Sequence, residues 1–277
     1  MDPVRKALWY VESHSREPIS LDEIARACKV SSFHLTRAFS SSVGLSLMRY
    51  VRARRLTEAA RALAGGAEDI LALALDVGYG SHEAFTRAFR DQFALTPEQV
   101  RAQGHLNNLR LMEAIAMTTV PAPDIAPPTL EERPPMLLAG LIERYQCQAP
   151  GGIPDQWRRF APQIGRVPGQ ADRDSFGAST NFDADGNFDY MCGVRVSSLD
   201  DLPLGLKGLS IPAQTYAIFR DKGHIAGIRA VYEAIWRKWI PESGHKAAEA
   251  PTLERYTPEF DPATGLGGYE IWVPIQA

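Results

Sequence analysis

Cysteine is scarce and scattered in this chain of 277 residues. Cys28, Cys147 and Cys192 lie far apart, and none belongs to a C-x-x-C pair. This spacing argues against a disulfide framework and against a zinc site. The chain is long enough for two domains of ordinary size, and each is expected to have a hydrophobic core of its own.

Long hydrophobic runs are missing as well. The longest, MLLAGLI at 136–142, is far shorter than the ~20 residues that a membrane-spanning helix needs. The N-terminal segment MDPVRKALWYVESHSRE has charges at both ends of its apolar stretch and no small-residue cleavage site. We expect no signal peptide, no membrane contact and a cytoplasmic location.

Sequence signatures of enzymes are also missing. There is no nucleophile motif, no cluster of metal-ligating residues and no glycine-rich phosphate loop, and GYG at 78–80 does not follow a predicted strand. The sequence therefore gives no reason to predict catalysis, a bound metal or a cofactor.

The net charge of −3 is small but unevenly distributed. Residues 1–105 contain 14 Lys and Arg against 12 Asp and Glu, whereas residues 106–277 contain 16 against 21. A basic stripe next to an acidic second half predicts a polyanionic partner for the first half alone, although a solvated helix face is the alternative. The arginines that form this stripe are Arg49, Arg52, Arg54, Arg55 and Arg61.

Two segments of the first hundred residues contain the same tetrapeptide, TRAF, at 36–39 and again fifty positions later at 86–89. A short amphipathic segment precedes each, LDEIARACKV in one case and DILALALDVGYG in the other. Apolar residues recur at i, i+3 and i+4, which predicts an all-α domain of about seven helices. Helix, tight turn and helix is the helix-turn-helix pattern, and it occurs twice. Ser20 and Ser81 are predicted N-caps, and Gly78 suits the left-handed position that ends a helix.

The second helix of each copy has an apolar and a polar face. Leu35, Ala38 and Phe39 are predicted to face the core. Arginine can chelate guanine, and threonine can contact a base edge or a thymine methyl, so we predict that the polar faces read DNA in the major groove. The predicted DNA-contacting residues of these faces are Phe33, Thr36, Arg37 and Ser40 in the first copy and Glu83, Thr86, Arg87 and Arg90 in the second.

An arginine-rich helix near 46–63 joins the two copies. We predict that it holds the two reading helices about one DNA turn, ~34 Å, apart and that Arg54 and Arg55 reach phosphates. This hypothesis requires Arg37 and Arg87 to face one duplex together, and a structure that seals either of them against protein contradicts it. The alternative is a pair of helical hairpins whose arginines are merely solvated.

These motifs resemble the DNA-binding domain of the AraC/XylS family of bacterial transcription regulators. The resemblance covers residues 1–105 and includes SLDEIARACKVSSFHLTRAF and DILALALDVGYGSHEAFTRAF. It implies two helix-turn-helix units that bind double-stranded DNA from a single chain. The base-reading residues that it implies are Phe33, Thr36 and Arg37 in the first unit and His82, Glu83, Thr86 and Arg87 in the second.

The chain departs from the family pattern at three positions. In ALTPEQVR, Ala94 replaces the family's glycine and Val100 its aromatic residue, which affects local packing only. Glu83 replaces a neutral polar residue. It can accept a hydrogen bond from cytosine N4, or it can repel phosphate and weaken the second contact.

Proline is abundant where the first domain ends. Residues 118–135 contain six prolines, so we predict a linker over 106–135. Residues 105–117 are a candidate helix that extends towards the second domain.

Residues 136–277 show strand patterns and two helices, near 153–165 and 224–239. Their order is strand–helix–strand–strand, twice, which predicts an α+β domain of duplicated βαββ units. The second helix carries a stripe of apolar residues, which are Ile225, Ile228, Val231, Tyr232, Ile235, Trp236 and Trp239.

This second half resembles the GyrI-like effector domain of Rob-type regulators, most clearly in TLERYTPEFDPATGLGGYEIWVPI at 252–275. The resemblance implies a small-molecule pocket, which in relatives that bind cationic drugs is centred on a strand glutamate among aromatic residues. That glutamate corresponds to Glu254. The other predicted effector contacts are Tyr256, Trp157, Tyr190, Phe188 and Trp272.

A buried carboxylate is costly unless it is paired, so an empty pocket around Glu254 would favour a proton or an arriving cation, and aromatic faces attract cations. Tyr256 lies two residues further on and hence on the same face of a strand. Glu270 and Glu143 are rival acids. The alternatives are a surface glutamate that pairs with Arg255, and tryptophans that belong to the core.

Together these features predict a sequence-specific transcription regulator that binds double-stranded DNA and is controlled by a small cationic or aromatic effector. RNA polymerase is a further candidate partner. One alternative makes the second domain a protein-interaction module without a ligand, and a filled core around Glu254 would favour it. Another makes it a GyrI-like hydrolase that uses Glu254 with Tyr256 or Trp157.

Overall fold

The computed structural model of the protein describes residues 2–14, 17–115, 124–146 and 152–276. Cys147 and part of the predicted linker, residues 116–123, lie outside the described residues. Within these four ranges, no helix is both long and apolar enough to cross a membrane.

The described part of the N-terminal region is all-α, as predicted. The units formed by α2–α3 and α5–α6 are the two helix-turn-helix motifs, and α4 joins them. The helices are α1 (Pro3–Ser13), α2 (Leu21–Cys28), α3 (Ser32–Val43), α4 (Leu47–Ala64), α5 (Ile70–Asp76), α6 (His82–Phe93) and α7 (Pro97–Gln103).

Capping residues fix the helix boundaries of both units. Ser20 and Glu23 form a reciprocal capping box at the start of α2, and the Ser81 side chain caps α6. Gly78 lies in the left-handed region, at φ +85°. All three assignments made from the sequence are confirmed.

The two reading helices also end alike. Gly44 after α3 and Ala94 after α6 both adopt the left-handed conformation, at φ 78° and 59°. Glycine adopts it at lower cost than alanine, so Ala94 is the less favourable of the two caps. Val100, which replaces the family's aromatic residue, is fully buried and fills its place in the core.

The C-terminal region contains one antiparallel eight-stranded sheet, in the order β1-β6-β8-β7-β3-β4-β2-β5. One βαββ unit is β2, α8, β3 and β4, and the other is β6, α9, β7 and β8, so the predicted duplication is confirmed. The central strands β3 and β7 pair with each other. The elements are β1 (Thr129–Arg133), β2 (Met136–Gln146), α8 (Ile153–Phe160), β3 (Gln170–Thr180), β4 (Asn187–Val196), β5 (Lys207–Ile211), β6 (Gln214–Asp221), α9 (Ile228–Ala234), α10 (Ile240–Ser243), β7 (Thr252–Tyr256) and β8 (Tyr269–Ile275).

A π-helical turn, Ile235–Trp239, connects α9 to α10. Here the amide of Ile240 bonds to the carbonyl of Ile235, one residue further back than in an α-helix. The next residue, Pro241, has no N–H to donate to the carbonyl of Trp236. The sequence therefore leaves this carbonyl open to a partner from outside the helix.

The predicted linker is partly structured. Residues 104–115 contain no helix, so the predicted helical extension is wrong over its described part. The amide of Met112 donates instead to the side chain of Thr57, which holds this segment against α4. Residues 129–133 form the edge strand β1, which pairs with β6.

One hydrophobic cluster joins the first helix-turn-helix unit to the C-terminal sheet. It runs from Phe39 of α3 to Trp236 of the π-turn and Ile271 of β8. The second unit has a separate core, which includes Phe85 and Phe89 of α6. Among the described residues, the first unit therefore shares its core with the C-terminal region, whereas the core of the second unit contains residues of the N-terminal region only.

Candidate DNA-binding and effector-binding sites

The second reading helix, α6, presents its polar face to solvent. Phe85 and Phe89 are buried on the opposite face. Arg87 is exposed, and the hydroxyl of the half-buried Thr86 has no hydrogen-bond partner. A shallow groove on this helix is lined by the residues predicted to contact DNA, which are His82, Glu83, Thr86, Arg87 and Arg90.

The N-terminal end of this groove carries negative charge. A hydrogen bond from its own backbone amide lowers the pKa of Glu83, so this side chain is ionised at neutral pH. His82 contacts the carboxylate of Glu98 at 3.1 Å. A DNA partner must therefore offer a donor such as cytosine N4 to Glu83, or the positive charges of Arg87 and Arg90 must outweigh it.

The first reading helix, α3, is covered by the C-terminal region. Its residues Leu35, Ala38 and Phe39 face the core, as predicted. Arg37 lies on the opposite face but is only 9% exposed. Arg37 is sealed against protein, so the structure contradicts the prediction that Arg37 and Arg87 face one duplex together. The helical pattern correctly predicts the face of α3 on which Arg37 lies, but the C-terminal region covers that face.

The guanidinium of Arg37 lies in a cage of three aromatic rings. Its Cζ is 4.1 Å from the ring centroid of Phe182, 5.2 Å from that of Trp236 and 5.8 Å from that of Tyr232. Phe182 follows β3, and the other two rings lie one helical turn apart on α9 and the π-turn. Aromatic faces attract cations, more strongly when water is excluded. The cage therefore holds Arg37 as it would hold a bound cation.

The remaining predicted DNA contacts of α3 face the same way. Phe33 is half-buried, with its ring 6.0 Å from that of Trp236 in an edge-to-face arrangement. Thr36 and Ser40 are buried, and the hydroxyl of Ser40 has no hydrogen-bond partner. These side chains cannot reach a base until α3 separates from the C-terminal region.

A histidine of α3 donates a hydrogen bond to the carbonyl that the π-turn leaves unpaired. The Nε2–H of His34 donates to the carbonyl of Trp236 at 3.0 Å, which is the acceptor that Pro241 leaves open. Burial lowers the pKa of His34, so the ring is neutral in this position. Docking of α3 thus satisfies a backbone group that the C-terminal helix cannot satisfy itself.

Ion pairs flank this contact on both sides. Arg237 pairs with Asp2 at 2.8 Å, and both side chains are largely buried. Arg52 of α4 pairs with Asp185 at 2.9 Å, and both are about half exposed. The buried pair constrains the geometry of the interface, whereas the exposed one contributes little free energy.

Arg54 of α4 does not occupy the predicted position. Arg54 is buried and donates to Glu12 at 2.8 and 2.9 Å and to the carbonyl of Met112 at 2.8 Å. The bond to Glu12 raises the pKa of Arg54 and lowers that of the carboxyl. Arg55 donates to the carbonyl of Glu17. Arg54 therefore ties α4 to α1 instead of reaching a phosphate, because a nearby carboxylate competes for it.

Glu254 lies on β7, 9% exposed, at the centre of the sheet. Its carboxylate accepts three tyrosine hydroxyls: Tyr190 at 2.7 Å, Tyr256 at 2.9 Å and Tyr232 at 3.0 Å. Burial, and then the charge of Glu254, raises the pKa of each tyrosine well above its ordinary value, so all three remain donors. The carboxylate therefore receives neutral donors from all three tyrosines.

A glycine makes room for this cluster. Gly177 lies opposite Glu254 in the β3–β7 register. A Cβ at position 177 would lie 2.2 Å from the hydroxyl of Tyr190 and 2.7 Å from the carboxylate. The close approach of Tyr190 to Glu254 therefore depends on the missing side chain.

Two further predicted residues support the cluster from behind. The indole N–H of Trp157 donates to the hydroxyl of Tyr190 at 3.0 Å, and its ring lies edge-on to Tyr256 at 5.4 Å. Phe188 stacks on Phe182, with ring centroids 5.1 Å apart. Both residues therefore contact the sites and do not belong to a separate core. Trp157 orients Tyr190, which donates to the carboxylate, and Phe188 packs against Phe182 of the aromatic cage.

Trp272 was also predicted to line the pocket, and this prediction is wrong. Cross-strand neighbours share a face of the sheet, and Trp272 pairs with Leu253, whereas Glu254 pairs with Ile271. Trp272 therefore lies on the opposite face, where Arg133 covers its ring at 4.6 Å. Side chains alternate between the two faces of a strand, so the register between β7 and β8 decides which face Trp272 shares. The sequence does not predict that register.

The rival acids are engaged elsewhere. Glu270 pairs with Arg220 and with Arg255, at 3.0 and 3.1 Å. Glu143 pairs with Arg159. The suggestion that Glu254 is neutralised by Arg255 is thus incorrect, since that arginine faces the other side of the sheet.

Sequence analysis missed the cage itself. The sequence predicts only that Tyr232 and Trp236 belong to an apolar stripe. A tyrosine and a tryptophan four residues apart on a helix were the available signal, because residues at this spacing lie on one face. That signal cannot show that the face meets a reading helix.

Known proteins share both halves of this arrangement. The family described as "GyrI-like small molecule binding domain" matches residues 126–276, and that described as "Helix-turn-helix domain" matches residues 24–103. The Right origin-binding protein of Escherichia coli (strain K12) and the Transcriptional regulator Rob of Salmonella typhimurium (strain LT2) are each 26% identical over 271 residues, which is 95% of this chain and 92% of theirs. A solved structure, SAV2435 bound to tetraphenylphosphonium, covers 54% of this chain and 94% of its own at 20% identity, with a TM-score of 0.45.

Proposed function

The chain belongs to the GyrI-like family of small-molecule-binding domains and carries an AraC-type helix-turn-helix region, and on this premise we propose which of its residues read DNA and which bind the effector. It is a DNA-binding transcription regulator with an effector domain, similar over nearly its whole length to curated regulators. Residues 1–105 are proposed as the DNA-binding domain, 106–135 as the linker and 136–277 as the effector domain.

For DNA recognition, we assign base contacts to Thr86 and Arg87 of α6. Both lie in the N-terminal turns of a helix whose polar face is open, which suits entry into a major groove. Thr36 and Arg37 are their counterparts on α3. We propose that they read a second groove only after α3 has left the C-terminal region.

For effector recognition, one observation carries the assignment: the buried carboxylate of Glu254 is held by three neutral tyrosine hydroxyls beside an aromatic cage. Such a site suits an organic cation, because the carboxylate supplies charge and the aromatic faces replace water. Tyr190, Tyr232 and Tyr256 would orient the carboxylate, and Trp157 would orient Tyr190.

The alternatives are less well supported. A filled core around Glu254 is the sign expected of a protein-interaction module, and the carboxylate is indeed enclosed, by the hydroxyls of three tyrosines. The family match is to a small-molecule-binding domain. Similarity to regulators favours binding over hydrolysis, and turnover of a ligand that is lost in Glu254→Gln would reverse that preference. RNA polymerase remains a candidate partner for which no surface is assigned.

The effector assignment is tested with tetraphenylphosphonium as the probe cation, by calorimetric titration of the full chain. We expect Glu254→Gln to weaken binding at least ~10-fold, since it removes the charge and keeps the shape. Glu143→Gln is the matched control, because Glu143 is also an acid of the same sheet bonded to a tyrosine and an arginine. Equal binding by both variants would rule out Glu254 as the cation site.

A further inference from the structure

Arg37 belongs to both proposed sites at once. It is the proposed base-reading arginine of α3, and its guanidinium lies in an aromatic cage that shares Tyr232 with the Glu254 cluster. Tyr232 connects the two: its ring faces Arg37 at 5.8 Å, and its hydroxyl donates to the carboxylate at 3.0 Å. One tyrosine therefore connects the proposed DNA-reading cation to the carboxylate at which an effector cation is expected.

We propose that Arg37 is an internal ligand of the effector site, and that a cationic effector which takes its place releases α3 for DNA. The proposal rests on the effector site at Glu254 proposed above. Arg37 would then contact either the aromatic cage or a base edge, but never both at once. Effector and DNA then favour the same open state, so each increases the affinity for the other.

The internal ligand also indicates which effectors the site accepts. A guanidinium is planar, its charge is delocalised, and it is more weakly hydrated than an ammonium group. Phe182, Trp236 and Tyr232 present their ring faces to the guanidinium. The cage therefore favours organic cations with dispersed charge, such as amidinium or aryl-onium compounds, over compact ammonium groups and metal ions.

The rest of the interface sets how strongly the effector must compete. His34 bonds to the carbonyl of Trp236, and Arg237 pairs with Asp2 beside it. These contacts raise the effective concentration of Arg37 at the cage without touching the effector. To release α3, an external cation must bind the state in which α3 has separated more tightly than the state in which α3 is docked. It does so because Arg37 occupies the cage in the docked state.

Removing the internal ligand should expose the site. Arg37→Ala is expected to bind tetraphenylphosphonium roughly 3- to 30-fold more tightly than the unaltered chain, which is the range of a cation–π contact. Arg87→Ala is the matched control, since it removes the corresponding arginine from α6, and its affinity should not change. Calorimetric titration of the full-length variants gives both values.

The outcomes separate the two proposals. If Glu254→Gln abolishes binding but Arg37→Ala leaves the affinity unchanged or weakens it, the cation site stands and the internal ligand is refuted. If the unaltered chain does not bind the probe cation and Arg37→Ala also fails to bind it, the effector site itself is refuted, and this proposal with it.

A second measurement needs no substitution. Hydrogen exchange of the unaltered chain, with and without saturating probe cation, reports on α3 and α6 separately. We expect exchange in residues 32–43 to accelerate and exchange in residues 82–93 to stay the same. Unchanged protection of α3 at saturation would overturn the proposal, whatever the variants do.

Discussion

The helices α3 and α6 share the tetrapeptide TRAF at the same place, and they occupy opposite environments. Each has a serine N-cap, buries its apolar face and ends on a left-handed residue. Yet Arg37 is enclosed by aromatic rings, and Arg87 is exposed. The local sequence determines that the polar face of each helix points away from its own unit. Contacts with the rest of the molecule determine whether that face is buried or exposed.

The positions around the shared tetrapeptide explain why only one copy is covered. The first copy carries Phe33 and Ser40 where the second carries Glu83 and Arg90. Burying a phenylalanine against aromatic rings is favourable, and burying a serine hydroxyl without a partner costs ~1–3 kcal/mol, whereas burying an unpaired glutamate and arginine costs far more. The polar face of α6 is therefore unsuited to the interface that α3 occupies.

The largest effect that tests this comparison is on DNA affinity. Arg87→Ala should weaken binding to DNA selected by the purified protein by ~1–3 kcal/mol, about 5- to 150-fold, and relax one base position. Arg37→Ala loses a base contact too, but it also releases α3, so its net loss should be smaller. Fluorescence anisotropy at one fixed salt concentration measures both.

Two results would contradict this expectation. Equal losses in the two variants would mean that docking of α3 does not limit DNA binding. If neither variant loses affinity, the base-reading assignment is wrong for both helices.

An intermediate effect is expected when the interface is loosened away from both sites. Gly186 has φ +78°, and a Cβ there would lie 2.6 Å from the Cβ of Ser46, at the start of α4. Gly186→Ala should therefore weaken docking, accelerate hydrogen exchange in α3 and raise DNA affinity several-fold, about 1 kcal/mol. Gly205→Ala is the matched control, because Gly205 has φ +90° and nothing within 4 Å. Equal acceleration in both variants would show that backbone strain, and not the interface, is responsible.

The smallest effect is a dependence on pH. Burial lowers the pKa of His34 in the docked state, so its contribution to docking is complete above the ordinary histidine pKa of ~6.5 and declines as the pH falls below it. Protection of α3 relative to α6, corrected for intrinsic exchange rates, should therefore decrease between pH 7.5 and 5.5. His34→Gln keeps a donor for the carbonyl of Trp236 but cannot titrate, and it should abolish the change. An undiminished change in that variant would assign it to another group.

Predictions from the sequence succeeded where the cause is local. The duplicated helix-turn-helix units follow from periodicity and caps such as Ser20, and the duplicated βαββ order follows from alternating patterns and turns. The pairing of Glu254 with Tyr256 on one face follows from the period of a strand. These features need only neighbours within a few residues.

Predictions failed where the cause is a partner distant in sequence. Trp272 lies on the wrong face because the register between β7 and β8 sets its side. Arg54 meets Glu12 from another helix before it can meet a phosphate. Arg37 meets rings more than a hundred residues away.

The sequence by itself determined the elements of this protein: two matched reading helices, a duplicated sheet domain and a strand glutamate with its tyrosine. Hydrophobic periodicity, capping residues and turn residues depend on neighbours within a few positions, so the sequence alone predicts these elements. Only the tertiary structure decided that the first reading helix lies against the effector domain and that Arg37 fills its aromatic cage. That outcome depends on how two surfaces with compatible shape and charge pack together, and no local pattern records which surface will meet which.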